Sequence, residues 1–227
     1  MANRPIFIPN TKGTKPLFQE IGIEFKWHSG FAVIQKKRSI QELHNNAKQQ
    51  NIYPVLEAST KSDIKLGQRL SAFNLQIQTP QFGKISIESA FQGSKVFEGN
   101  IQFTDIYTKS SLDAKRDKRL KESGKIIGFN FFGEKWKTEP KTAFYDWLYL
   151  KALSPYKDYL LRNLTKYQGF TDIEFNPKKS FSCQARSSAI LVAMLKLDIL
   201  EDSLSSQQKF IENTYSNQDN YLQSLFD

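Results

Sequence analysis

The sequence predicts an α+β fold in which a small β-rich part precedes a series of helices. Short segments rich in aromatic and aliphatic residues, bounded by Gly, Pro and Asn, recur in the first third of the chain. Apolar residues at helical spacing dominate the later segments. The 227 residues include 18 Phe, 9 Tyr and 3 Trp, and 39% are hydrophobic, so the chain has enough apolar material for the core of one domain.

The β-rich part is predicted to contain strands at 5–9, 17–27 and 53–58. Between the second and third of these strands, the pattern at 39–50 predicts a helix. Ser39 is placed as its N-cap, and Glu42, three residues later, completes a capping box.

The middle of the chain is predicted to deliver a helix from a strand. The strand is expected at 69–77 and a turn at 79–83. The helix is expected to begin after Ser86, with Glu88 in its first turn.

The second half is predicted to be mainly helical, with a link rich in Gly and Phe at 124–133. The last of its helices is apolar throughout and is expected in the core, whereas the residues after 198 are polar and are expected to be peripheral. The predicted helices are 111–122, 141–153, 157–167 and 189–197.

The composition narrows the classes of function. No apolar run is long enough to cross a bilayer and the first residues lack the apolar stretch of a secretory signal, so a cytoplasmic protein without membrane contact is expected. Cys183 is the single cysteine and there are two histidines, which gives no ligand cluster for zinc, and no cofactor is predicted. The net charge of +9, concentrated at 36–38 and 115–125, suits a partner that carries phosphates.

One predicted helix carries a polar stripe. Helical spacing from Glu88 places Phe91, Gln92 and Lys95 on the same side, so an acid, an amide and an amine share one face. The simple alternative is a surface pair between Glu88 and Lys95 two turns apart.

A second carboxylate pair, Asp172 and Glu174, falls in a non-helical stretch that ends at Pro177. If that stretch is extended, the two side chains lie on the same side, and paired carboxylates can do acid–base work. The alternative is that they cap the next helix or pair with Lys178 and Lys179.

The motif Glu-x-x-Phe-Gln-x-x-Lys at 88–95 resembles the signature helix of the NADAR, or YbiA-like, family, with Ser89 where the family commonly has His. Further segments resemble the family's pattern in the same order. They are 70–74 (Leu-Ser-Ala-Phe-Asn), Trp136 with the helix after it, 169–172 (Gly-Phe-Thr-Asp) and 184–187 (Gln-Ala-Arg-Ser).

This resemblance implies a predominantly helical NADAR-like catalytic core at 64–197, with 1–63 as a β-rich part of the same domain and 198–227 as a polar tail. The segments 89–95, 143–147 and 170–176 look closest to the branch that accompanies DarT-type DNA ADP-ribosyltransferase toxins.

The resemblance also implies a reaction, the hydrolysis of the N-glycosidic bond that joins ADP-ribose to the exocyclic amine of guanine in DNA. Glu88 is then the acid–base and charge-stabilising group, and Asp172 orients ribose hydroxyls or activates water. Lys95 either forms a Schiff base with the opened sugar or holds a carboxylate or phosphate in place.

Eight further residues are candidates for substrate binding, through stacking or through polar contacts to pyrophosphate, sugar or base. They are Arg69, Ser71, Phe73, Asn74, Gln92, Trp136, Phe170 and Gln184. The expected partner is ADP-ribosylated DNA with a single-stranded or unstacked guanine, together with a DarT-type toxin.

Two alternatives remain open at the level of sequence. In the first, the chain is an N-glycosidase of a small phosphoribosyl or ADP-ribosyl metabolite, and the basic charge serves a soluble phosphate. In the second, it is a non-catalytic module that holds a toxin or ADP-ribosylated DNA. Turnover distinguishes an enzyme from a module.

Overall fold

A computed structural model describes residues 1–30, 32–178 and 180–215 of the chain. The predicted α+β class is confirmed. The strands are β1 (Ala2–Pro9), β2 (Phe18–Phe25), β3 (Val55–Glu57), β4 (Gln76–Thr79), β5 (Gly83–Ser86), β6 (Lys95–Phe97), β7 (Ile101–Gln102), β8 (Ile126–Phe131), β9 (Glu134–Trp136) and β10 (Gly169–Thr171). The helices are α1 (Val33–Gln49), α2 (Lys65–Arg69), α3 (Ile87–Gly93), α4 (Ser111–Arg116), α5 (Arg119–Glu122), α6 (Ala143–Leu153), α7 (Lys157–Leu164), α8 (Gln184–Lys196), α9 (Leu200–Leu204) and α10 (Gln207–Thr214).

The first sheet has the strand order β2-β1-β10-β3, so a strand from late in the chain lies between two early ones. β1 is antiparallel to both β2 and β10, whereas β10 is parallel to β3. The three strands predicted in the first third are confirmed. Because β10 completes their sheet, we infer that 1–63 and 64–197 belong to one domain.

The first sheet is covered on both faces. Side chains alternate along a strand, so Ile6 joins the apolar cluster beneath α1 while its neighbour Phe7 joins the larger core on the other side. Leu43 of α1 is part of the smaller cluster, and α8 packs against β1 and β10 from the opposite face. The first sheet therefore lies between α1 on one face and α8 on the other.

Helix α1 begins at Val33, six residues before the predicted N-cap, and the predicted capping box is wrong. The N-cap is Ala32, whose side chain makes no cap hydrogen bond. Ser39 is instead buried inside the helix, where its Oγ accepts a hydrogen bond from the His28 N–H at 3.0 Å. Glu42 lies 3.3 Å from the His28 ring.

The strand predicted at 69–77 is wrong for most of its length. The chain instead leaves α2 through a turn in which the Ser71 carbonyl accepts from the N–H groups of Asn74 (2.9 Å) and Leu75 (2.7 Å). The strand β4 begins only at Gln76 and pairs with β5, and the turn predicted at 79–83 is confirmed between them.

The link predicted at 124–133 is also wrong, because Ile126–Phe131 forms β8. This strand pairs with β6 and β9 in an antiparallel sheet of order β7-β6-β8-β9. The helix predicted at 111–122 is interrupted at Asp117, whose carboxylate accepts from the backbone N–H of Arg119 at 3.1 Å.

The remaining helices build the core and confirm the predictions at 141–153, 157–167 and 189–197, although α8 begins five residues early. The expectation of a peripheral tail is wrong for the described part of 198–227. There, α9 and α10 pack on the core and Phe210 is fully buried. Residues 216–227 lie outside the described ranges.

None of the helices in the described ranges is long and apolar enough to cross a membrane.

Candidate active site

A cavity of about 450 Å³ lies where α3 and β6 meet the residues that follow β10. Its walls come from 71–73, from α3 with Lys95, from the region of α4 and α5, and from residues within 172–176 and 180–184. All three predicted catalytic residues, Glu88, Lys95 and Asp172, line this cavity. Side chains far apart in sequence therefore share one small space.

Glu88 stands in the first turn of α3, which begins as predicted. The Ser86 Oγ caps the helix by accepting from the Ser89 N–H at 3.0 Å. The Glu88 side chain is only 7% exposed, and its Oε1 accepts a hydrogen bond from Gln92 Nε2 at 2.9 Å. Gln92 Oε1 is buried and has no donor among the described residues. It is therefore free to accept from a ligand.

Lys95 reaches the cavity by a route that differs from the prediction. Helix α3 ends at Gly93, so Lys95 is the first residue of β6 and not part of a helical stripe with Glu88. Its ammonium lies 5.1 Å from the centroid of the Phe91 ring. Burial lowers the pKa of Lys95 to about 8, although the Glu88 carboxylate acts to raise it.

The end of α3 is set by close packing and by backbone pairing. A Cβ at Gly93 would lie 2.6 Å from the Tyr107 ring, which leaves room only for glycine. The Ser94 carbonyl accepts from the Asn130 N–H at 2.7 Å, and Lys95 is paired with Phe129 of β8. These bonds turn the chain from helix to strand one residue before the lysine.

Asp172 follows β10, and Glu57 of β3 accepts hydrogen bonds from the residues on either side of it. The Glu57 carboxylate accepts from the Thr171 hydroxyl at 2.6 Å and from the Ile173 N–H at 2.9 Å. Burial, followed by the charges of Glu57 and Glu174, raises the pKa of Asp172 well above its usual value. A protonated carboxyl, which donates a hydrogen bond, is thereby favoured.

Glu174 also lines the cavity, so the two carboxyl groups share it, although residues 173 and 174 form a turn and not the extended stretch on which the prediction depended. The Glu174 N–H donates to Asp172 Oδ1 at 3.0 Å. The Glu174 carboxylate is exposed and lies 3.9 Å from the Lys61 ammonium. Lys179, one of the partners considered for it, lies outside the described residues.

Three predicted binding residues join Gln92 at the cavity. Ser71, Phe73 and Gln184 all line it. Gln184 Oε1 accepts from the Ala72 N–H at 2.7 Å and so joins the turn after α2 to the start of α8. Phe73 is half-buried, and its ring lies 5.0 Å from the Lys115 ammonium.

Four predicted binding residues do not reach the cavity. Trp136 is buried between Phe144, Trp147 and Phe210, and Phe170 is fully buried within β10, so their predicted stacking role is wrong. Both belong to the core because their strands lie beneath covering helices. Arg69 and Asn74 line a separate cavity of about 520 Å³ on the other side of the turn after α2.

The family model described as DarT1-associated NADAR antitoxin matches residues 2–223, nearly the whole chain. The chain belongs to this family. Membership supports the role of an antitoxin that is associated with a DarT1 toxin. Among curated proteins, none matches the chain.

In this antitoxin, some cavity residues escaped sequence reasoning. The Tyr145 ring packs edge-on against Phe91, with 5.1 Å between the ring centroids, and burial raises the pKa of Tyr145 well above its usual value. Tyr145 belongs to the segment 143–147, which resembles the family, but nothing marked it as a cavity residue. Lys115 and Lys121 also line the cavity, and their basic run was the signal that pointed to them.

The antitoxin shows no group of three or more His, Cys, Asp or Glu side chains placed to hold a metal ion in the described part of the chain. Cys183 is buried, and burial raises the pKa of its thiol well above the usual value. A thiolate nucleophile is therefore disfavoured. The cavity instead combines a carboxylate, a carboxyl group of raised pKa and an amine of lowered pKa.

Proposed function

We propose that the chain is an N-glycosidase that removes ADP-ribose from guanine bases of DNA and so reverses the modification made by a DarT-type toxin. The observation that carries this proposal is the convergence of Glu88, Lys95 and Asp172 on one cavity in a member of this antitoxin family. The reaction takes place in the cytoplasm, where the modified DNA lies.

The cavity suits the chemical parts of the substrate. Its volume is in the range of typical small-molecule sites. Lys115 and Lys121 supply positive charge for the pyrophosphate, and Phe73 offers an aromatic surface for a base or ribose. Gln92 Oε1, which has no donor among the described residues, accepts from a ribose hydroxyl or a base amine.

The bond to be broken joins the anomeric carbon of ribose to the exocyclic nitrogen of guanine. That nitrogen must receive a proton, while positive charge develops on the anomeric carbon. We assign proton transfer and charge stabilisation to Glu88. Asp172 orients the ribose hydroxyls, because its raised pKa favours a hydrogen-bond donor and disfavours the predicted alternative of a base that activates water.

Lys95 has two possible roles, and its environment supports the covalent one. With a pKa of about 8, roughly one amine in ten is neutral at pH 7. The neutral amine attacks the anomeric carbon of the opened sugar, guanine leaves with a proton, and water hydrolyses the resulting Schiff base to ADP-ribose and free lysine. The alternative is that Lys95 only holds a phosphate or carboxylate in place.

The decisive experiment measures ADP-ribose release from a single-stranded oligonucleotide that carries ADP-ribosyl guanine. We expect release by the wild type and a loss of roughly a hundredfold or more in Glu88→Gln and Lys95→Ala. Glu98→Gln and Lys135→Ala are matched controls, because both side chains are exposed and lie outside the cavity. Borohydride trapping of a covalent adduct by the wild type and not by Lys95→Ala separates the two roles of Lys95.

Other results would favour the alternatives. Tight binding of the modified oligonucleotide without release would indicate a non-catalytic module. Release from a free ADP-ribosylated nucleotide, with none from the oligonucleotide, would indicate a glycosidase of small metabolites.

A further inference from the structure

The second cavity, of about 520 Å³, is built from the other side of the turn after α2 and has no role in the chemistry proposed above. Leu70, Asn74 and Leu75 line it, whereas the intervening Ser71, Ala72 and Phe73 line the catalytic cavity. The two cavities are therefore neighbours separated by a single six-residue segment.

The second cavity combines an apolar floor with exposed aromatic rings. Leucines of α2, α6 and α7 form the floor. Tyr156 and Tyr159 line the wall and are 53% and 45% exposed. They are three residues apart, and Tyr159 stands in the first turn of α7. Flat aromatic surfaces that remain open to solvent suit stacking by a planar base.

Positive charge at this cavity has no carboxylate to balance it. Arg69 and Lys84 line it, and no Asp or Glu is among the described residues that do so. Neither cation forms an ion pair in the described part of the chain. Asn74 donates to the Gln68 carbonyl at 2.8 Å, which leaves its Oδ1 available as an acceptor. Cations beside exposed rings are the combination that binds single-stranded nucleic acid.

We propose that this second cavity binds a nucleotide next to the modified guanine, with its base against Tyr156 or Tyr159 and its phosphate at Arg69 or Lys84. The proposal rests on the proposed function for the identity of the strand, because it places the guanine in the neighbouring cavity. It also gives Arg69 and Asn74, predicted as substrate contacts, a place in which they touch the substrate.

The test measures binding of a fluorescein-labelled, unmodified single-stranded oligonucleotide, thymines with one guanine, by fluorescence anisotropy at several salt concentrations. We expect Tyr159→Ala to raise Kd roughly fivefold or more and Tyr159→Phe to retain binding. We expect Lys84→Gln to lower the slope of log Kd against log salt by roughly 0.7, whereas Lys84→Arg keeps it. Lys135→Gln is the control for a distant exposed lysine.

Binding that is equal in wild type, Tyr159→Ala and Lys84→Gln would overturn the proposal, and so would a wild type that fails to bind the oligonucleotide. The proposal would also be overturned if Tyr159→Phe and Lys84→Arg weakened oligonucleotide binding as much as Tyr159→Ala and Lys84→Gln do. ADP-ribose release from the modified oligonucleotide is followed in the same preparations. Loss of oligonucleotide binding in the variants, with no release even by the wild type, would support the second site and reject the proposed hydrolysis.

Discussion

Asp172 is the residue whose protonation links stability to chemistry. Burial and the neighbouring carboxylates raise its pKa, so the folded protein retains a proton that the unfolded chain releases. The associated stability is fully present below the pKa of the unfolded chain, near 4, and is lost as pH rises through the pKa of the folded state. Ionised Asp172 therefore destabilises the folded protein, whereas the protonated form, which we assign to the ribose hydroxyls, does not.

We predict that Asp172→Asn raises the thermal midpoint at pH 8 and largely retains ADP-ribose release, because the amide still donates a hydrogen bond to the ribose. The gain in midpoint shrinks towards pH 4, where the wild-type carboxyl is also protonated. Thermal unfolding followed by circular dichroism from pH 4 to pH 8 checks this. Asp158→Asn, at an exposed position on α7, is the control. A midpoint that does not change at any pH would contradict the prediction.

Lys95 gives a pH prediction of its own. Because burial lowers its pKa to about 8, the neutral amine increases as pH rises through that value. We expect the initial rate of borohydride-trapped adduct formation to rise from pH 6 and to level off above about 8. A rate that is independent of pH across this range would argue that Lys95 only positions other groups.

Single residues also show where sequence reasoning fails. Glu88 and Gln92 were found because polar side chains at helical spacing are conspicuous, and Gln184 was found through the segment 184–187 that resembles the family. Trp136 and Phe170 were assigned to the ligand, although an aromatic ring looks the same in sequence whether it packs in a core or stacks on a base. Only the position of each strand under its covering helices separates the two cases.

At the scale of elements, the junction between α3 and β6 determines where the amine stands. We predict that Gly93→Ala lowers the free energy of unfolding by about 1–3 kcal/mol, because the added methyl group meets the Tyr107 ring at 2.6 Å. The substitution also shifts Lys95 and reduces turnover. Urea unfolding and the release assay measure the two effects.

The double variant Gly93→Ala with Tyr107→Leu is the matched control, since the smaller side chain makes room for the methyl group. We expect it to recover part of the lost turnover. If the double variant is folded but recovers no turnover, the defect of Gly93→Ala has a cause other than the clash with Tyr107.

Elements that local signals define were predictable from sequence, and elements that distant pairing defines were not. Ser86 marked the start of α3, and apolar runs of helical length indicated α6 and α8. β8 was missed because its glycine and phenylalanines look like a linker until β6 lies beside it. The helical stripe predicted Lys95 for an incorrect reason, because α3 ends two residues before it. The Lys95 side chain nevertheless lines the same cavity as Glu88.

At the scale of the whole molecule, Asp146 ties α6 to α8 and to the end of the described chain. Its buried carboxylate accepts hydrogen bonds from Arg186 at 3.0 Å, from the Tyr215 hydroxyl at 2.6 Å and from the hydroxyls of Thr142 and Ser187. The side chain is fully buried. The network explains why the region predicted as a peripheral tail is instead packed on the core.

We predict that Asp146→Ala destabilises the protein by about 3–5 kcal/mol, because it leaves the Arg186 charge buried without its partner. Tyr215→Phe, which removes one hydrogen bond to a charged group, should cost about 1.5–3 kcal/mol. Urea midpoints measure both, with Asp158→Ala as the exposed control. If Asp146→Ala lowers the free energy of unfolding by less than about 1 kcal/mol, as expected for a solvent-exposed ion pair, this account is contradicted.

The place of β10 between β1 and β3 has a consequence for the timing of protein synthesis. The ribosome releases β1, β2 and β3 long before residues 169–171. The hydrogen bond to Glu57 from Thr171, which stands next to Asp172, therefore cannot form until β10 has been synthesised. A nascent chain that already carries Glu88 and Lys95 has no complete cavity. We expect antitoxin activity to appear in one step, once the last third of the chain has emerged. Shorter nascent chains are then expected to have no antitoxin activity.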